Sequence, residues 1–268
     1  VATLNKEDSA MKRFVVVLSI VSILCAFFVA QTYAIPKAGL ILNYTFDSST
    51  ISGDKVKDLS GLGNDGTING GGKAVDGAMQ FDGKAVYVAS PALDIRVAKK
   101  SYTAIGWFKT DTAKNGQLWM WGDNGVTGKS SGAEGPVGWR ASSGNFAASF
   151  YSTAHQYAEA KQTYADNKLH CVAQVCNEDV GSLYVDGAKI ATAIAGYVYA
   201  AKPFFLIGTR TKNSGNDIDD IEYFIGYIDQ VAIYNIALGD KDIQDIASEV
   251  TAVNSSSKIA IAWGEIKR

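Results

Sequence analysis

DLSGLGNDGT, at positions 58–67, is the centre of an Asp-Gly-rich block near the front of the chain. It lies between YTFD at 44–47 and MQFDG at 79–83, and a second block contains LYVDG at 183–187 and FIGYIDQVAIYN at 224–235. In both blocks, short alternating runs meet Gly residues, which adopt the positive φ that tight turns require. The two blocks therefore predict β-strands joined by tight turns.

Alternating runs continue outward from these blocks along most of the chain. Leu40, Leu42, Tyr44 and Phe46 share one face of the first run, as the period of a strand requires. Several later runs are apolar on both faces, which suits strands that are covered on each side in a two-sheet sandwich. The pattern therefore predicts a mostly β-structure with a buried core between two sheets.

One helix is predicted, and it lies late in the chain. Ile243, Ile246, Ala247 and Val250 follow the i, i+3, i+4, i+7 spacing of an apolar helix face. Acidic residues in its first turn complement the helix dipole.

In order and approximate spacing, the two blocks resemble those of the laminin-G-like family of concanavalin A-like lectin-glucanase jelly rolls. The resemblance covers residues 39 to about 250. It implies an all-β, two-sheet antiparallel jelly-roll sandwich with one short C-terminal helix. Members of the family bind glycans or proteins, and the fold also hosts enzymes, so the resemblance constrains the fold more narrowly than the function.

Residues 1–34 are interpreted as a misplaced start followed by a secretory signal peptide. A short basic stretch at Met11–Arg13 precedes an apolar run over 14–29, and 32–34 offers a small-residue cleavage site. A transmembrane anchor is the alternative, but such a helix usually needs about 20 apolar residues. The protein is therefore expected to be secreted, extracellular or at the cell surface, without membrane insertion of the mature chain.

The remaining chain divides into a laminin-G-like jelly-roll domain at 39–250 and a linker and tail at 251–268. The tail is interpreted as an added edge strand or a truncated attachment signal. The full sequence has 25 Lys and Arg and 27 Asp and Glu. Without residues 1–34 these counts are 22 and 25, which gives a net charge of −3. No block of like charge stands out, so nucleic acid and anionic membranes are not predicted partners.

Cys171 and Cys176 lie in one strand-like run, five positions apart. Odd spacing along a strand points two side chains to opposite faces, about 16 Å apart along the chain, which is too far for a disulfide. Two buried thiols without a chemical role are therefore expected.

The aromatic residues of the middle third are candidates for glycan binding. Trp119, Trp121 and Trp139 are predicted to line a surface, because the face of an indole ring stacks well on a sugar ring. Arg140 beside them could donate hydrogen bonds to sugar hydroxyls. Packing in the core is the alternative for each of the three tryptophans.

The resemblance also implies a structural calcium ion, since similar jelly rolls often carry one that joins the first strand to the last. Asp229 would be one ligand, Asp47 a partner and Asp82 a third, because calcium prefers six to eight oxygen ligands. The alternative is that these acids only end strands and form turns.

The acidic run at 217–222 resembles the bulged E-x-D-x-x-E strand of the β-glucanase clan that shares this fold. Asp217, Asp219 and Glu222 have the corresponding spacing, but the run follows a polar, Gly-containing stretch that is typical of a hairpin loop. A glycoside hydrolase or lyase is therefore the less favoured function. The sequence favours a secreted, non-catalytic module that binds carbohydrate, and an adhesion or structural module with an extracellular protein partner is the alternative.

Overall fold

The computed structural model describes residues 35–93, 101–114, 116–122, 134–151, 154–195, 204–210 and 222–254. All of them belong to one compact unit, Ile35–Arg268. The predicted signal peptide, Asp217, Asp219 and the tail from residue 255 lie outside the described residues.

Seventeen strands and one helix make up the described chain. The strands are β1 Leu40–Tyr44, β2 Ile51–Ser52, β3 Lys55–Val56, β4 Gly66–Asn69, β5 Lys73–Val75, β6 Ala78–Asp82, β7 Tyr87–Ala89, β8 Ser101–Lys109, β9 Gln117–Gly122, β10 Glu134–Trp139, β11 Phe146–Tyr151, β12 His155–Glu159, β13 Leu169–Asn177, β14 Val180–Val185, β15 Ala188–Ile194, β16 Phe204–Ile207 and β17 Ile225–Tyr234. The helix α1 spans Asp240–Asn254.

The strands form two antiparallel sheets. The eight-stranded sheet has the order β15-β14-β13-β8-β17-β6-β5, with β1 also paired to β17. The nine-stranded sheet has the order β12-β11-β10-β9-β16-β7-β4-β3-β2. Because β1 pairs with β17, the beginning and the end of the domain are neighbours in one sheet.

The main core lies between the two sheets. Phe108 of the eight-stranded sheet packs on Phe146 of the nine-stranded sheet with ring centroids 5.3 Å apart. The Trp139 ring lies 5.9 Å from the Phe108 ring. Strands on both sides contribute alternate residues to this layer, as the sequence period predicts. The predicted all-β sandwich is therefore confirmed.

A second, smaller core lies between the eight-stranded sheet and the helix. Ile105 and Trp107 project from the outer face of that sheet and meet Ile243 and Ile246 of α1. The helix begins as its sequence predicts, with the Asp242 carboxylate accepting the N–H of Gly239 at 3.1 Å. It continues to Asn254, beyond residue 250, where the sequence predicts the domain to end.

The described residues include no helix with the length and apolar character needed to cross a membrane.

The stretch at 58–67 is a loop organised around one buried carboxylate. Asp58 accepts hydrogen bonds from the backbone N–H groups of Asn43, Ser60 and Asn64 at 2.9 to 3.0 Å, and from the Ser60 hydroxyl at 2.6 Å. The Tyr44 hydroxyl donates to the Asn64 carbonyl, and a Cβ on Gly66 would lie only 2.8 Å from that hydroxyl. Burial, followed by the charges of Asp58 and Asp65, raises the pKa of Tyr44 above its usual range. The loop is thereby fixed to β1.

The two Asp-Gly pairs at 82–83 and 186–187 make different turns. Asp186 and Gly187 both have positive φ, at 51° and 80°, and join β14 to β15 as a tight hairpin, as the sequence predicts. Asp82 and Gly83 do not form a hairpin, because β6 lies in one sheet and β7 in the other. Their turn passes the chain across the edge of the sandwich.

The two cysteines lie on opposite faces of β13. Cys171 belongs to the core beneath the helix and Cys176 to the core between the sheets, and the two do not form a disulfide. The odd spacing therefore places the two side chains on opposite faces of the strand, as the sequence predicts. Burial, and then the charge of Asp186, raises the pKa of Cys171, which keeps its thiol protonated.

Candidate functional site

The outer face of the nine-stranded sheet holds a shallow cleft of about 220 Å³. Phe146 and Ala148 of β11 point into the core, so Ala147 between them points outward. Tyr157 of β12 likewise points outward beside the core residue Ala158. The side chains that give the cleft its chemistry are those of Gln117, Arg140, Tyr157, Arg210 and Glu222.

One wall of the cleft is formed by Arg140, Tyr157 and Glu159. The Arg140 guanidinium carbon lies 3.7 Å from the centre of the Tyr157 ring, and its Nη1 lies 2.7 Å from Glu159 Oε2. The Asn145 amide donates to the other oxygen of Glu159 at 2.8 Å. Hydrogen bonds from Ser143, Asn145 and Arg140 lower the pKa of Glu159, so this carboxylate is ionised. The guanidinium is therefore held on two sides.

A second group of cleft residues consists of Gln117, Arg210 and Glu222. Glu222 Oε2 accepts a hydrogen bond from the Gln117 amide at 2.9 Å and lies 2.8 Å from Arg210 Nε. The Gln117 N–H also donates to the Glu222 carbonyl at 3.2 Å. Glu222 is therefore fixed to β9 through both its backbone and its side chain, and its side chain is only 9 % exposed.

His155 lies on the same sheet face as Tyr157. Its Nδ1 is 3.2 Å from the Ser149 hydroxyl. Burial, and then the positive charge of Arg210, lowers the pKa of His155 below its usual value. The imidazole is therefore neutral at pH 7 and adds no positive charge to this face.

A sequence model of the concanavalin A-like lectin/glucanases superfamily matches residues 82–244. The chain belongs to this superfamily. The match covers more than half of the 268 residues and includes every strand that contributes a side chain to the cleft. The family that the sequence resembles is thereby confirmed. No curated protein sequence matches the chain.

Several solved structures have a similar fold over most of the length of this chain. Domain 4 of AbnA, a GH43 extracellular arabinanase from Geobacillus stearothermophilus, in complex with arabinotriose, has a TM-score of 0.61 at 19 % identity; the alignment covers 79 % of this chain and 100 % of that one. Trypanosoma rangeli sialidase in complex with sialic acid has a TM-score of 0.62 at 17 % identity, covering 84 % of this chain and 35 % of that one.

The binding domain of botulinum neurotoxin serotype D/C is a third similar structure. Its TM-score is 0.57 at 13 % identity, and the alignment covers 79 % of this chain and 52 % of that one. At these identities the likeness shows the fold alone. The chain corresponds to the whole of the arabinanase domain but to only about a third of the sialidase and half of the toxin fragment.

In this member of the superfamily, the rings of the three predicted tryptophans are buried, although Trp139 adjoins the cleft. Trp119, Trp121 and Trp139 are 0 %, 3 % and 1 % exposed and belong to the core between the sheets. Trp121 packs on Phe205 at 4.7 Å, and the Trp139 ring stacks on Phe224 at 6.2 Å. The prediction of exposure is wrong because the alternation of β9 and β10 points these rings toward the other sheet.

Arg140 alone of the predicted glycan-contacting residues has an accessible side chain, 29 % exposed in the cleft. Sequence reasoning did not select Tyr157 as a contact residue. It is 36 % exposed, the largest fraction among the Phe, Tyr and Trp side chains that the structure describes. The signal lies in the alternation of β12, where small Ala158 faces the core and Tyr157 therefore faces outward.

The three predicted calcium ligands lie in two different places. Tyr44 pairs with Val231 and Met79 with Ile228, so Asp229 lies where β17 passes the end of β1 and the start of β6. Asp47 follows β1 at the same end, and its Oδ1 lies 3.3 Å from the position that a Cβ on Gly77 would take. The strand register therefore brings Asp47 and Asp229 toward the same part of the sheet edge.

Asp82 is separated from that pair. It pairs with Ile225, four residues before Asp229 on β17, which is about 13 Å along a strand. Its Oδ1 accepts the backbone N–H groups of residues 84, 85 and 86 at 2.9 to 3.2 Å. Burial acts against ionisation, but these hydrogen bonds outweigh it and lower the pKa of Asp82. Among the described residues, no three His, Cys, Asp or Glu side chains cluster to hold a metal ion.

Proposed function

We propose that this chain is an extracellular glycan-binding module and that the cleft on the nine-stranded sheet is its binding site. The observation that carries the proposal is the Tyr157 ring, exposed in the cleft and fixed by the Arg140 guanidinium at 3.7 Å. An aromatic ring that is held in place stacks on the apolar face of a sugar with little loss of conformational freedom. The surrounding amide, guanidinium and carboxylate groups match the donors and acceptors of sugar hydroxyls.

The size of the cleft favours one unit of a polymer over an enclosed small molecule. Its volume of about 220 Å³ lies below the range of about 300 to 1,000 Å³ that is usual for small-molecule pockets. Two similar domains add support, since the arabinanase domain is in complex with arabinotriose and a binding domain of botulinum neurotoxin DC is in complex with SialylT. Export through the predicted signal peptide is part of the same proposal.

Loss of the Tyr157 ring is expected to weaken glycan binding about tenfold. A stacking contact of about 1.4 kcal/mol corresponds to that factor. The test is retention of the full protein on a broad polysaccharide and glycan panel, with calcium and then with chelator, comparing wild type with Tyr157→Ala. Tyr157→Phe keeps the ring and should be retained like wild type, and Ile194→Ala removes an exposed apolar side chain from the other sheet. Absence of any retention by wild type would contradict the proposed function.

A protein partner is the second candidate function, and one observation favours it. β15 ends the eight-stranded sheet among the described strands, and Ile194 on it is 65 % exposed beside Val180, which is 51 % exposed. An apolar edge strand can accept a strand from another chain.

For the hydrolase alternative, Glu222 is the one residue of the acidic run within the described chain. Catalysis at that run stays a prediction.

We also propose a structural calcium ion held by Asp47 and Asp229. Two carboxylates from neighbouring segments, with main-chain carbonyls, supply the hard oxygen ligands that calcium prefers. The ion would join β1 to β17 and so fix the first strand to the last. Asp82 is not a member of this proposed site, since its carboxylate closes a turn elsewhere.

Calcium is expected to raise the melting temperature by roughly 5 to 10 °C. For a dissociation constant of about 0.1 mM, about 10 mM calcium adds about 2.7 kcal/mol to the free energy of unfolding. The measurement is thermal unfolding of chelator-stripped protein with and without calcium. Asp229→Asn should abolish the shift, and the matched control Asp82→Asn should keep it. A shift below about 1 °C in stripped wild type would rule out the site.

A further inference from the structure

Both positive charges in the cleft are already matched by carboxylates of the protein. Arg140 Nη1 lies 2.7 Å from Glu159 Oε2, and Arg210 Nε lies 2.8 Å from Glu222 Oε2. Two guanidinium groups and two carboxylates give these four side chains a formal charge of zero. A sugar that enters the cleft therefore meets two neutralised ion pairs rather than a positive pocket.

The two pairs are held in place and partly buried. The exposed fractions are 29 % for Arg140, 25 % for Glu159, 24 % for Arg210 and 9 % for Glu222. Glu159 is also bonded by the Asn145 amide, and Glu222 by the Gln117 amide. An incoming carboxylate would have to displace one of these acids from its guanidinium or bind directly beside it. Displacement leaves a half-buried charge without its partner, which is unfavourable.

Hydroxyl groups do not meet this obstacle. A carboxylate in an ion pair keeps acceptor capacity, and a guanidinium that uses one N–H in the pair keeps further donors. A sugar hydroxyl is both donor and acceptor, so neighbouring hydroxyls can bond to the acid and the base of one pair at the same time. The Tyr157 ring beside the first pair supplies the apolar contact.

We infer that the cleft selects neutral glycans and discriminates against glycans that carry a carboxylate, such as uronic acid or sialic acid residues. The inference rests on the proposed function and specifies its ligand class. Of the similar structures, the arabinanase domain is in complex with arabinotriose, a neutral sugar chain, and the inference places the ligand of this cleft in the same neutral class. The two paired acids, Glu159 and Glu222, are the selectivity residues.

The test compares matched neutral and acidic glycans on the full protein. The probes are lactose and sialyllactose, xylan and glucuronoxylan, and carboxyl-reduced and native polygalacturonate. Wild type is expected to bind the neutral member at least about tenfold more tightly in each pair that binds. Glu159→Gln and Glu222→Gln each free one guanidinium, so each should reduce that ratio about tenfold, mainly by improving binding of the acidic member.

Asp54→Asn is the matched control, because it removes one negative charge from an exposed turn at the opposite edge of the same sheet. It should leave the ratio unchanged. Equal or tighter binding of acidic glycans by wild type would overturn the inference while leaving the proposed function intact. An unchanged ratio in both Gln variants would overturn the assignment to these pairs. No binding of any probe or panel glycan would overturn the proposed function, and this inference with it.

Discussion

Trp139→Ala is expected to lower the free energy of unfolding by about 3 to 5 kcal/mol. The ring is 1 % exposed and lies at the centre of an aromatic layer, 5.0 Å from Phe146 and stacked on Phe224 at an interplanar angle of 9°. Its indole N–H also donates to the Thr163 carbonyl at 2.8 Å, so truncation leaves both a cavity and an unpaired acceptor. The measurement is urea unfolding, in which the midpoint should fall while the dependence of the free energy of unfolding on urea concentration stays unchanged.

Trp139→Phe separates the structural role of this residue from a role in binding. It keeps an aromatic ring in the layer but loses the indole hydrogen bond and part of the volume, so a loss of about 1 to 2 kcal/mol is expected. Glycan retention by this folded variant should match wild type, because Tyr157 and both ion pairs stay in place. If Trp139→Ala lost less than about 1 kcal/mol, the ring would not be a member of the core.

The strands, the β14–β15 hairpin and the helix could be predicted because they depend on local chemistry. An Asp-Gly pair readily adopts the positive φ of a tight hairpin, as Asp186 and Gly187 do. The spacing of Ile243, Ile246 and Ala247 defines a helix face from neighbouring residues alone. The Asp82-Gly83 turn shows the limit of that reasoning. The same dipeptide leads to the other sheet, because β7 pairs with β4 and β16 rather than with β6.

The orientation of the tryptophans could not be predicted from period alone. Leu118, Trp119, Met120 and Trp121 are all at most 3 % exposed, so β9 is covered on both faces. Alternation then indicates which residues share a face but not which face meets the other sheet. The general affinity of Trp for sugars favoured exposure, whereas the large area of an indole ring stabilises the core more when it is buried.

The cleft could not be assembled from the sequence because its parts lie far apart in the chain. The cleft side chains come from five segments, which meet through the strand order β12-β11-β10-β9-β16 and the bridge between Gln117 and Tyr223. They are Gln117, Arg140, Tyr157, Arg210 and Glu222. Of these five residues the sequence predicts only Arg140 as a glycan contact, because it follows Trp139 in the chain rather than because of its neighbours in space. The ion pairs that set the expected ligand class depend entirely on this long-range register.

Asp58→Ala is expected to lower the free energy of unfolding by about 3 to 6 kcal/mol. Asp58 is 5 % exposed and accepts three backbone N–H groups, those of Asn43, Ser60 and Asn64. The Asn43 bond is buried and the other two are partly buried, so each donor left without a partner costs about 1 to 2 kcal/mol. The Asn43 bond also fixes the loop to β1, so its loss loosens the strand that pairs with β17.

Asp58→Asn tests whether the loss arises from the acceptors rather than from side-chain volume. The amide keeps one acceptor oxygen but replaces the other with a donor that faces N–H groups, so its loss should be smaller than that of Asp58→Ala yet well above zero. Asp54→Asn, in an exposed turn nearby in the sequence, should change the free energy of unfolding by less than about 0.5 kcal/mol. In Asp58→Ala, hydrogen exchange should accelerate at the amides of Asn43, Ser60 and Asn64 before the rest of the sheet opens. A stable Asp58→Ala variant with protected amides would mean that the loop folds without its central carboxylate.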